Sequence, residues 1–128
     1  MMEKVYQILL DGKVIGTTQL EKADPPMGTV WGKIIDGANS IDYAFMKSYC
    51  KDQGIDLVND FPEDRFISTR TIRQLQIISP EGISVQGEGN QISGMDTEGF
   101  EVFIEGVDYP FYGEEFPHHV KEYKESLS

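Results

Sequence analysis

The only two histidines, His118 and His119, are adjacent, and paired imidazoles are where a metal site or a proton relay is first sought. Neighbouring residues on a helix project about 100° apart, so this pair does not chelate one ion. A zinc centre needs three or four ligands at workable spacing. The single cysteine, Cys50, lies far away in sequence, and nothing in the spacing ties Glu114 or Glu115 to the imidazoles. Both histidines therefore read as structural or surface residues, and no metal and no cofactor is expected.

Other catalytic patterns fail in the same way. Gly87, Gly89 and Gly94 resemble a phosphate loop, yet a dinucleotide fingerprint needs G-x-G-x-x-G between a strand and a helix. Here β-like sequence lies on both sides, so a turn at Glu88-Gly89-Asn90 is the expectation. None of the serines sits in a G-x-S-x-G elbow or an S-x-x-K pair. Cys50 has no neighbour that would activate a thiolate and reads as a small core residue. No catalytic residue is assigned, and the chain is read as a non-enzyme.

The segment Phe100–Phe116, "FEVFIEGVDYPFYGEEF", carries more information. On a strand, Phe100, Val102 and Ile104 share one face and read as core. Glu101, Phe103 and Glu105 share the other, an aromatic between two acids. Asp108, Tyr109, Phe111, Tyr112, Glu114 and Glu115 continue the mixture of rings and carboxylates through what reads as a loop. Aromatic residues anchor interfaces while charge selects the partner. The same rings could instead close one end of the core. These nine outward or loop positions, Glu101 to Glu115, are the candidate partner-binding residues.

Stepping out from that segment, "VYQILLDGKVIGTTQL" predicts a β-hairpin, because Asp11-Gly12 suits a two-residue type I′ turn. "DPPMGTVWG", residues 24–32, holds two prolines, two glycines and the only tryptophan, and reads as a rigid corner leading into a strand. A helix is expected over 39–53, capped by Asn39 or Ser40, with Asp42 in its first turn. Its apolar stripe is Ile41, Ala44, Phe45 and Tyr49. "GIDLVNDFPEDRF" reads as irregular with a short strand at 55–58. Then "TIRQLQIIS", "ISVQG", "QISGM" and "FEVFIEGV" predict a meander with a turn about every ten residues. "FPHHVKEYKESL" closes the chain as a short helix with Pro117 in its first turn. The expected fold is α+β: a mainly antiparallel sheet of six or seven short strands, one central helix and a short C-terminal helix, in a single domain over 1–128.

Charge bounds the partners. Eleven basic residues face 22 acidic ones, a net charge of −11, which repels nucleic acid and anionic membrane and attracts basic proteins. From Gln74 to His119 there is no lysine or arginine, while nine acids fall there. No apolar run suits a signal sequence or a membrane span, and a lone cysteine fits a reducing compartment, so the cytoplasm is the expected location. In size, charge and architecture the chain resembles the small immunity proteins that bacteria carry against polymorphic or contact-dependent toxins. That resemblance implies an inhibitor that binds a basic toxin domain, such as a nuclease, with carboxylates standing in for phosphates. Two other readings stay open: a small-ligand or enzymatic domain with a pocket between sheet and helix, and a subunit that self-associates, the chain being a monomer or a homodimer.

Overall fold

The computed structural model describes residues 4–35 and 41–127. Asp11 and Gly12 take φ values of 52° and 77°, so the tight turn forms and joins β1 (Tyr6–Leu10) to β2 (Lys13–Thr18). This hairpin becomes a three-stranded sheet, order β2-β1-β7, when β7 (Leu75–Ile78) pairs with the free side of β1. The second sheet has six antiparallel strands. They are β3 (Lys22–Asp24), β4 (Thr29–Lys33), β5 (Leu57–Phe61), β6 (Phe66–Thr69), β8 (Gly89–Met95) and β9 (Gly99–Glu105), in the order β3-β4-β9-β8-β6-β5. Thr17 and Ile35 exchange two backbone hydrogen bonds of 2.8 Å, which tie the sheets together.

Alternation places the core between these sheets. Tyr6, Ile8 and Leu10 of β1 point inward, as do Phe100, Val102 and Ile104 of β9, and all six are buried. Ile67, Ile77, Ile92 and Val30 fill the same cluster. The helix α1 (Tyr43–Gln53) packs on β6. At the other end, where α2 (Phe111–Glu115) meets α3 (Pro117–Ser126), Phe116 packs against Tyr6 and Tyr112 packs against Phe116. The fold is α+β, with antiparallel sheets and a short C-terminal helix. Among the described residues no helix is long and apolar enough to cross a membrane.

Several expectations are corrected in detail. Nine strands form among the described residues where about six or seven are expected, because Lys22–Asp24 adds an edge strand to the larger sheet and Phe66–Thr69 an interior one between β8 and β5. The central helix starts at Tyr43, not 39, with Asp42 as its cap: the carboxylate accepts the Phe45 amide proton at 2.7 Å. Asn39 and Ser40 lie outside the described residues. Its buried face is Tyr43, Met46 and Cys50, while Phe45 is 42% exposed and stacks on Tyr49. Two apolar stripes exist on this helix, and contact with β6 selects one. Of the expected meander only the last step, the antiparallel β8–β9 hairpin, forms. β7 leaves for the other sheet, Ser84 makes only an isolated bridge to Ile78, and Gly89-Asn90 lies inside β8. A Cβ at Gly89 would sit 2.6 Å from Thr71 Oγ1, so this glycine permits close packing and not a turn.

Candidate functional site

β9 presents the expected two faces. On its outer side Phe103 stacks on Trp31 of β4, ring centroids 5.8 Å apart, across a register that pairs the two residues. Glu101 is met by Lys22 at 3.4 Å. Glu105, at the end of the strand, is exposed and has no lysine or arginine within 4 Å among the described residues.

Beyond Glu105 the chain docks on the proline corner. Asp24 ends β3, Pro25–Met27 form one 3-10 turn, and Gly28 takes φ +66°. The Val107 amide donates to the Gly28 carbonyl at 2.8 Å, and a Cβ on Gly28 would lie 2.6 Å from the Val107 oxygen. Only glycine suits that contact. Tyr109 donates its hydroxyl proton to the Pro25 carbonyl at 3.0 Å, and Tyr112 does the same to the Thr29 carbonyl at 3.0 Å. Two segments some eighty residues apart in sequence are thereby fixed together. The prolines supply stiffness, the carbonyls of Pro25, Gly28 and Thr29 accept, and the two tyrosines and the Val107 amide donate.

The outcome is an exposed apolar tip with an acidic rim. Met27 is 68% exposed and Tyr109 is 53% exposed. Asp24, Asp108 and Glu105 lie on the same two segments, all exposed, and Glu114 follows one turn into α2. Among the described residues none of these carboxylates has a basic side chain within 4 Å. Such a surface offers charge to a partner without first breaking internal ion pairs.

The nine candidate residues divide between two duties. Glu101, Phe103, Glu105, Asp108, Tyr109 and Glu114 keep surface exposed or half-exposed, and Phe111 is half-buried. Tyr112 and Glu115 are buried, so they do not present themselves to a partner at this surface. The Glu115 Oε2 accepts from Tyr6 OH at 2.6 Å and from Lys4 Nζ at 3.0 Å. Burial pushes Tyr6 and Tyr112 well above the ordinary phenol range. The stretch read as a loop is partly helix, α2, and helical phase turns Glu115 inward beside outward Glu114. The contribution of Met27 and Asp24 is absent from the sequence reading, and only the stiffness of "DPPMG" hints at it.

Cys50 is buried, and burial pushes its thiol up to about 11, which makes it a poor nucleophile at neutral pH. His118 and His119 lie with ring centroids 4.1 Å apart and planes tilted by 42°, and His119 Nε2 lies 2.8 Å from the Leu20 carbonyl. Among the described residues no group of three or more His, Cys, Asp or Glu is arranged to hold a metal ion. Comparison with protein-family models, curated proteins and solved structures finds no match.

Proposed function

We propose that the protein is a binding module of the immunity type, which neutralises a basic partner by docking its acidic corner onto it. The observation that supports this most is the Met27–Tyr109 tip, rimmed by Asp24, Glu105, Asp108 and Glu114 and anchored by hydrogen bonds to the proline turn. A rigid apolar anchor inside a rim of unpaired charge lowers the ordering cost of association and steers a cationic surface toward it. A nuclease toxin, whose groove attracts phosphates, is the partner type that these carboxylates suit best, since they would stand in for those phosphates.

The test is association with the basic partner, captured on immobilised protein from the cell of origin and then purified. Glu105→Lys/Asp108→Lys is expected to weaken binding by on the order of a hundredfold, as reversing two rim charges does. Its thermal midpoint should not fall, since both side chains are exposed and the change relieves part of the net negative charge. Retention of full affinity by that variant would refute the corner as the docking surface.

A further inference from the structure

An edge strand leaves a row of amides and carbonyls unpaired, and two open sheets have four such edges. β2 begins with Lys13 and, through Thr17, exchanges hydrogen bonds with Ile35. β7 is lined by residues 83–85, where the Val85 amide donates to the Ile77 carbonyl at 2.8 Å. β3 is three residues long and has α3 beside it. β5 differs. It stands last in the six-stranded order, and among the described residues no backbone hydrogen bond closes its outer side.

Apolar side chains stand along this open edge. Val58 is 47% exposed and Phe61 is 51% exposed. Phe61 stacks on Phe66 with ring centroids 5.8 Å apart, and Phe66 lies opposite Met95 on β8. This apolar row across the sheet stops at Phe61, where one more strand would extend it by a cross-strand pair. The surroundings are acidic. Residues 52–64 hold Asp52, Asp56, Asp60, Glu63 and Asp64 and no lysine or arginine. Asp60 is held by Lys47 and the Tyr43 hydroxyl. Asp56, just before the strand, and Glu63 and Asp64, just after it, are exposed. Among the described residues none of these three has a basic side chain within 4 Å.

The occupant must bring a strand, an apolar side chain beside Phe61, and cations toward both ends. A second copy of this chain brings the strand without the cations. Antiparallel pairing about Asn59 would set Asp56 near the second copy's Glu63 and Asp64, on chains that each carry −11. The bulge at Val58, where the register passes from Leu57–Thr69 to Asn59–Ser68, also disfavours self-pairing. We propose that β5 accepts an extended, basic segment of another protein, which adds a seventh strand to the larger sheet. Backbone hydrogen bonds supply the pairing, and the flanking carboxylates select the charge. Strand order puts this edge on the far side of the sheet from β3 and the proline corner, so the proposal does not rest on docking at that corner.

Amide chemical shifts of ¹⁵N-labelled protein test it, with the peptide acetyl-Lys-Lys-Val-Thr-Phe-Thr-Val-Lys-Lys-amide as probe. Saturable shifts are expected at residues 56–64, with slower amide exchange in β5 as its outer side becomes bonded. The same peptide with both threonines replaced by proline keeps the charge and loses the strand, and it should give no saturable shifts. Asp56→Lys/Glu63→Lys, one change at each end of the strand, should weaken the probe by on the order of tenfold, the worth of two exposed charge contacts. Both side chains are exposed, and a thermal melt confirms that the variant folds. Absence of saturable shifts at 56–64, or equal shifts with the proline peptide, overturns strand addition. Equal affinity of wild type and variant overturns the selection for a basic segment. Dimerisation that slows exchange in β5 without any peptide would make a second copy the occupant and refute the proposal.

Discussion

At the residue scale the most consequential group is Glu115. Its carboxylate is tolerated inside because Tyr6 and Lys4 both donate to it. Tyr6→Phe removes the buried donor and keeps the ring, so it should cost roughly 1–3 kcal/mol in urea unfolding, the usual penalty for stranding a buried charged acceptor. Cys50 offers a complementary readout. Its thiol is buried and pushed up to about 11, so a disulfide reagent at pH 8 should label it only at the rate of unfolding. Legibility differed sharply among such residues. Val102 and Ile104 were readable as core because a strand's period of two leaves no other choice. Glu114 and Glu115 are identical in type and adjacent, and only the phase of a five-residue helix sends one out and the other in. No sequence pattern carries that phase.

At the element scale the proline turn organises the candidate surface. Gly28→Ala places a Cβ against the Val107 carbonyl at a positive φ, which should cost on the order of 1–3 kcal/mol. It alters no charge, yet it should weaken partner binding, because the Tyr109 segment loses its seat. Binding measured beside a thermal melt separates this effect from global unfolding. The hairpin at Asp11-Gly12 was legible because its turn chemistry is local. β3 and β6 were not: three or four residues carry too little alternation, and pairing with β4 and β8 is what makes them strands. The buried stripe of α1 was missed for a similar reason. Phe45 and Tyr49 form a second apolar ridge, and tertiary contact decides between ridges.

At the scale of the whole molecule, charge acts in two opposed ways. The net charge of −11 repels itself at neutral pH, and that repulsion fades as pH falls toward the isoelectric point near 4.4. Against this, Tyr43 and Lys47 hold Asp60 below the ordinary carboxylate range, Arg65 and the Tyr43 amide do so for Asp96, and Lys4 for Glu81. A depressed native pKa contributes stability that is complete above the unfolded value and is lost as pH falls through the native one. The thermal midpoint should therefore rise from pH 8 to about 5 and fall below about pH 4, where these carboxylates protonate. A midpoint that climbs steadily to pH 3 would show that the ion pairs contribute nothing. The same excess charge frames the functional reading, because an acidic corner that binds a cationic surface must do so less well as salt screens it. The decisive measurement is the affinity of the purified partner for wild type and for Glu105→Lys/Asp108→Lys between about 50 and 300 mM salt. Wild-type affinity should fall steeply with salt, while the variant should bind weakly throughout with a shallower slope. Equal affinities and equal slopes would contradict docking through this corner.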